Sequence, residues 1–137
     1  MSEIELLTSM QSNRAIFVNY VLVQTLMAAV IVYVAYMFRT LPTVVRAAAM
    51  VGSVISILLV TFFATGTQTV FYASATTMSE MAGNGSEVAT SFMNSVGLPV
   101  GDPVSQPGWM TILSVIQVII NLVVTIYIFL LAKWGDE

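Results

Sequence analysis

Residues 109–134 have the sequence WMTILSVIQVIINLVVTIYIFLLAKW, and this stretch sets the class of protein to which the chain belongs. No charged residue occurs from Trp109 to Ala132. A helix over these residues is about 36 Å long, which is enough to cross a hydrocarbon core of about 30 Å. A tryptophan stands at each end, where amphipathic rings favour the membrane interface. The stretch therefore predicts a transmembrane helix over about 109–132, anchored by Trp109 and Trp134.

One side of this predicted helix is polar. Its polar residues recur every three or four positions and are Thr111, Ser114, Gln117, Asn121 and Thr125. At about 100° per residue this spacing keeps them on one face, and the remaining face is isoleucine, leucine, valine and phenylalanine. We expect the apolar face to contact lipid and the polar face to contact protein or water.

Two earlier stretches are also long enough to span a membrane. Residues 15–38 are uncharged, with aromatic residues near both ends, and residues 44–70 form a second apolar run. Between them lies the short sequence RTLPTVVR, which predicts a tight turn with Pro42 at or just before the start of the second helix. The first two spans should form an antiparallel hairpin, and the second helix can continue to about Ala82 because residues 70–82 contain no glycine or proline.

The composition agrees with an all-α integral membrane protein. Hydrophobic residues make up 58% of the 137 positions and charged residues only 8%, whereas about a quarter of the residues in a soluble domain are charged. We therefore predict a single membrane domain over 1–137, with three transmembrane helices and one extramembrane segment over about 71–108. The sequence has no cluster of lysine and arginine residues of the kind that binds nucleic acid.

The extramembrane segment predicts one short helix. Ser86 is a suitable N-cap for a helix from Glu87 to about Ser95, and Gly97 is a suitable terminator. Val88, Phe92 and Val96 recur at four-residue spacing, which favours an interfacial helix lying on the membrane or on partners. At the N-terminus, Ser2 and Glu5 fit a capping box for a second short helix, and a frayed tail is the alternative.

Basic residues near the ends of the spans predict the orientation. Arg39, Arg46 and Lys133 lie on one side, against Arg14 alone in the N-terminal tail and no basic residue in 71–108. Because basic residues accumulate on the cytoplasmic side, we expect a plasma (inner) membrane protein with its N-terminus and long loop outside and its C-terminus in the cytoplasm.

Polar and small residues within the spans are candidates for helix packing. Gln24, Thr61 and Gln117 should lie at similar depth, so a hydrogen-bonded cluster among them, within one chain or between chains, is sterically reasonable. On the second span, Ala49 and the small residues that follow it share one face and would let another helix approach closely; those residues are Gly52, Ser53 and Ser56.

The residue types that the chain lacks limit the catalytic, metal-binding and transport chemistry that it can perform. The chain has no cysteine or histidine, and no Asp, Glu, Lys or Arg lies between Ala15 and Phe38, between Ala47 and Met78, or between Trp109 and Ala132. We therefore expect no enzyme activity, cofactor or metal site, and coupled transport through intramembrane carboxylates is disfavoured.

Two functions remain open at this point. The first is a non-catalytic accessory subunit of a larger integral membrane complex, with lipid and other membrane subunits as partners and an outer loop for docking. The alternative is a homo-oligomeric pore, since three spans with an outer N-terminus and an inner C-terminus are similar in layout to one class of phage holins.

Overall fold

The computed structural model describes residues 2–134 and is entirely helical in its regular elements over that range. The helices are α1 (Glu3–Met37), α2 (Thr43–Gly83), α3 (Glu87–Ser95) and α4 (Gly108–Ile126), and α4 continues as a π-helix over Tyr127–Leu131. Three of them, α1, α2 and α4 with its π-helical end, are long and apolar enough to cross a membrane. Residue 1 and residues 135–137 of the predicted 1–137 domain lie outside the described residues.

The apolar surface of these three helices is largely exposed. In the most apolar window of α1, α2 and α4, only 6%, 6% and 11% of the residues are buried, respectively. Monomeric soluble proteins rarely expose contiguous apolar patches larger than a few hundred Å². An apolar surface on this scale fits contact with a lipid bilayer.

The first two helices extend beyond the predicted spans. The N-terminal tail is the first part of α1, because no glycine or proline interrupts residues 3–37. The predicted capping box is present: the Ser2 N–H donates to Glu5 Oε2 at 2.7 Å and the Glu5 N–H donates to Ser2 Oγ at 3.3 Å. The second helix begins directly after Pro42 and ends at Gly83, as the uninterrupted sequence to Ala82 allowed.

The chain divides into two compact units, and α1 and α2 contribute to both. Among the described residues, the first unit comprises 2–19 and 64–108, and the second comprises 20–63 and 109–134. The core of the first unit draws on α1, α2, α3 and the segment after α3. Its buried residues are Leu6, Met10, Ala75, Met78, Ala82, Ala89, Met93 and Val104.

Glycines end both helices that flank the α2–α3 turn. Gly85 (φ 96°) follows α2 and Gly97 (φ 67°) follows α3, and both adopt the left-handed conformation that glycine accepts without a Cβ clash. The N–H after Gly97, on Leu98, donates to Met93 O at 2.9 Å, and the Gly97 N–H donates to Asn94 O at 3.2 Å, which together form a Schellman motif.

The start of α3 is also as predicted. The Ser86 hydroxyl accepts a hydrogen bond from the Ala89 N–H at 3.1 Å, so Ser86 is the N-cap of a helix that runs over Glu87–Ser95. This bond satisfies one of the N–H groups that a helix start leaves unpaired. The position of the predicted α3 helix is therefore confirmed.

The second unit packs α1, α2 and the π-helical segment together. Its buried core consists of Ile31, Ala35, Ile57, Ile128 and Phe129. The π-helix supplies two consecutive buried residues, which follow directly after the exposed Tyr127. The core of this unit therefore lies at one end of α4, and the preceding part of α4 is mostly exposed.

Candidate functional site

The polar stripe of α4 separates into an exposed part and a buried part. Thr111, Ser114 and Gln117 are exposed, Asn121 is half-buried, and Thr125 is 3% exposed. The division follows from the packing of the second unit, whose core contacts α4 only near its C-terminal end. The two parts can therefore serve different purposes.

Within the exposed part of the stripe, Gln117 has the most side-chain hydrogen-bonding groups without a partner. The Ser114 hydroxyl donates to Met110 O at 2.9 Å and is satisfied within its own helix. The side-chain amide of Gln117 makes no hydrogen bond to any residue of the described range 2–134. A primary amide has two donors and one acceptor oxygen, and hydrocarbon offers them nothing. The described chain therefore supplies no partner for this amide.

The buried part of the stripe lines a cavity in the second unit. Asn121 and Thr125 of α4 meet Gln24 of α1 there, and the other lining residues are aliphatic or methionine. The cavity has a volume of about 50 Å³. The cavity is partly open to the surface, and three uncharged polar side chains border it among otherwise apolar residues.

The cluster of Gln24, Thr61 and Gln117, which was predicted from their similar depth in the membrane, does not form within the single chain. Gln24 lies beside Asn121 and Thr125, and neither Thr61 nor Gln117 lines their cavity. The half-buried Thr61 donates to Ile57 O at 2.8 Å within α2. A contact between chains that joins Gln24, Thr61 and Gln117 stays a prediction.

The small-residue face of α2 is open over most of its length. A Cβ added at Gly52 would meet no atom within 4 Å. The hydroxyls of Ser53 and Ser56 donate to Ala49 O at 2.9 Å and Gly52 O at 3.0 Å, so both are satisfied within the helix. Ala49 packs against the core, whereas Gly52 and Ser56 are exposed. This face has the shape that close helix–helix contact needs, without a polar group that requires a partner.

The two tryptophans have different surroundings. Trp109 is 60% exposed. Trp134 is half-buried: its Nε1–H donates to Ile128 O at 3.3 Å, and its ring meets Tyr36 edge-on at 5.7 Å between centroids. The Arg39 guanidinium carbon lies 3.9 Å from the centroid of the Tyr36 ring, in cation–π geometry. Trp134 therefore packs against the C-terminal end of α1 and the preceding π-helix.

The face of α3 that packs against the core of the first unit lies next to the face predicted from Val88, Phe92 and Val96. Ala89 and Met93 are buried, and Phe92 is half-buried against the same core. Val88 and Val96 are exposed, at 50% and 42%. Two of the three residues at four-residue spacing are thus available to a membrane or a partner, and that role remains a prediction.

The segment after α3 is held to α2 by side chains that the sequence did not single out. Ser79 is fully buried and donates to Asp102 O at 2.7 Å and to Pro99 O at 2.9 Å. The Thr76 hydroxyl accepts from the Val104 N–H at 3.0 Å. Thr76 and Ser79 are three residues apart and so share a face of α2, which is the signal that could have identified them.

No group of three histidine, cysteine, aspartate or glutamate residues between positions 2 and 134 could hold a metal ion. Comparisons of the chain with family models, with curated proteins and with solved structures found no match. The function therefore has to be argued from the geometry.

Proposed function

We propose that this protein is a small, non-catalytic subunit of a larger integral membrane protein complex. It contributes α4 and the small-residue face of α2 to helix packing, and the first unit forms an outer-face docking region. The observation that carries the proposal is the exposed Gln117 amide, which lies on an apolar helix and has no partner among the described residues. Within a bilayer such an amide is stabilised by a hydrogen bond from another helix.

The proposed membrane is the plasma (inner) membrane, with the N-terminus outside and the C-terminus in the cytoplasm. Support comes from Arg39, Arg46 and Lys133, which follow the positive-inside rule in this orientation. Arg39 is half-buried, and its guanidinium lies over the Tyr36 ring at the end of α1.

The orientation can be tested by labelling an introduced cysteine, because the chain has no cysteine of its own that would react. A Ser12→Cys variant should react with a membrane-impermeant maleimide added to intact cells, whereas Thr40→Cys should react only after the membrane is opened. The reverse pattern would overturn the proposed orientation.

The subunit proposal is tested by gentle detergent extraction from the native membrane, followed by mass spectrometry of the proteins that co-migrate. Foreign membrane subunits should accompany the wild-type chain. Gln117→Leu should weaken their association about 3- to 30-fold, because an interhelical hydrogen bond in a membrane contributes about 0.6–2 kcal/mol.

Ser114→Ala is the matched control. It lies on the same exposed face, but its hydroxyl bonds to its own helix, so its loss should leave the association unchanged. If the chain instead migrates alone as a ring, and Gln117→Leu abolishes solute leakage while the ring persists, the pore alternative is correct and the subunit proposal is wrong.

A further inference from the structure

The cavity between α1 and α4 in the second unit contains polar groups that the described chain leaves unsatisfied. Thr125 is 3% exposed, and its side-chain hydroxyl forms no hydrogen bond with any residue of 2–134. No fully enclosed side-chain nitrogen or oxygen in the described chain lacks a partner. The Thr125 hydroxyl therefore still reaches open space, and the space that its side chain borders is the cavity.

The lining specifies the chemical class of the occupant. No ionisable side chain borders the cavity, so the site is neutral. Gln24 and Asn121 each present two N–H donors and one carbonyl oxygen, and the Thr125 hydroxyl both donates and accepts. A suitable ligand must therefore be small, uncharged and able to donate and accept hydrogen bonds at once.

The volume is consistent with water. A cavity of about 50 Å³ has room for roughly three to five water molecules, since each needs about 10–15 Å³ of such volume. Apolar cavities of protein interiors stay dry, whereas cavities with several polar groups are hydrated. A π-helix begins two residues after Thr125, and such segments are frequent at functional sites.

We propose that the cavity lined by Gln24, Asn121 and Thr125 binds a small cluster of water molecules within the membrane layer. The water satisfies amide and hydroxyl groups that lipid cannot satisfy, and it joins α1 to α4 through hydrogen bonds that neither helix makes directly. This inference depends on the spans lying in a bilayer. It does not depend on the identity of any partner subunit.

Two methionines provide an internal comparison for the test. Met27 borders the cavity, whereas Met50 packs against the core of the same unit and does not border it. Both are half-buried. Met27 lies about 15 Å of helix from the α1–α2 turn and Met50 about 10 Å, so water from that side would reach Met50 first.

The experiment is hydroxyl-radical footprinting of the full chain in lipid nanodiscs, with radicals generated in place by a short X-ray pulse. Water bound in the cavity is converted to radicals that oxidise the adjacent thioether. We expect Met27 to be oxidised severalfold faster than Met50. In the triple variant Gln24→Leu/Asn121→Leu/Thr125→Val, Met27 oxidation should fall to the rate of Met50.

Two controls keep the outcomes separate. Gln117→Leu removes a polar group of the same helix that does not border the cavity, so it should leave Met27 oxidation unchanged even if it releases a partner. The single, nearly isosteric variant Thr125→Val replaces the triple variant if the triple variant fails to fold. It should also lower Met27 oxidation severalfold.

Equal, slow oxidation of both methionines in the wild type would show a dry cavity and overturn the proposal. Equal, fast oxidation of both would overturn it too, because the water would then not be confined to the cavity.

Discussion

Ser79→Ala should loosen the segment from Pro99 to Val104 while α2 stays folded. The Ser79 hydroxyl is fully buried and lies 2.9 Å from Pro99 O and 2.7 Å from Asp102 O. A hydroxyl carries a single proton, so these two carbonyls share one donor. Alanine removes that donor and leaves both carbonyls without their contact to α2, whereas the intrahelical backbone bonds of α2 are unaffected.

The magnitude follows from the environment of the two carbonyls. A neutral hydrogen bond contributes about 0.5–1.5 kcal/mol net, and a buried acceptor left unsatisfied costs about 1–3 kcal/mol. Pro99 and Asp102 are exposed residues, so water can replace part of the loss. A cost of about 1–2 kcal/mol is expected, which makes local opening of the segment about 5- to 30-fold more frequent.

Hydrogen exchange measured by mass spectrometry on the protein in nanodiscs is the appropriate assay. The Gly101 N–H donates to Ser79 O at 3.0 Å, a backbone bond that the substitution leaves chemically intact. Faster exchange at this amide therefore reports opening of the segment.

Thr77→Ala serves as the control for Ser79→Ala. Thr77 is exposed on the same helix, and its hydroxyl bonds only to Ala73 O at 3.3 Å. Unchanged exchange at Gly101 in Ser79→Ala, or an equal increase in Thr77→Ala, would show that the buried hydroxyl does not hold the segment.

Two further predictions concern α2 and the start of α1. In Gly83→Ala the new Cβ would lie 2.9 Å from Gly101 Cα, so the backbone must shift, and we expect a loss of about 1–3 kcal/mol of stability in thermal unfolding. Gly66→Ala, where a Cβ meets nothing within 4 Å, should instead stabilise by about 0.4–1 kcal/mol, and equal effects of the two substitutions would contradict the steric argument. The Ser2 backbone N–H, and secondly the Ser2 side chain, hydrogen-bond to Glu5 and hold the pKa of that carboxyl below its ordinary value of 4.5. Because the folded pKa is depressed, the capping contribution is present above pH 4.5 and is lost as the pH falls through the folded pKa; amide exchange of the first turn should rise there in the wild type and not in Glu5→Gln.

Local signals allowed α3 to be predicted closely. An N-cap serine and a terminating glycine act within a few residues, and Ser86 and Gly97 perform these roles in the structure. The extent of α1 was harder to predict, because the interfacial tail and the span are both helical and nothing in residues 3–37 marks a division. A change from apolar to mixed composition indicates where lipid begins, but it does not end a helix.

The candidate site shows where such signals stop being informative. Spacing puts Gln117, Asn121 and Thr125 on one face of α4, but periodicity within one helix cannot say which of them another helix covers. Depth in the membrane suggested that Gln24 lies near Thr61 and Gln117. Depth is not sufficient, because two residues at the same level can point in different directions. Packing places Gln24 beside Asn121 and Thr125 instead.

Composition and periodicity alone indicate an all-helical chain with three helices able to span a membrane, without an acidic or basic side chain over residues 15–38, 47–78 and 109–132. These properties depend on the length and polarity of single segments, which the order of residues specifies directly. The burial of Thr125, the exposure of Gln117 and the anchoring of the Pro99–Val104 segment by Ser79 come from contacts between segments distant in the chain. Such contacts depend on how helices rotate and approach one another, and that information appears only when the helices are packed.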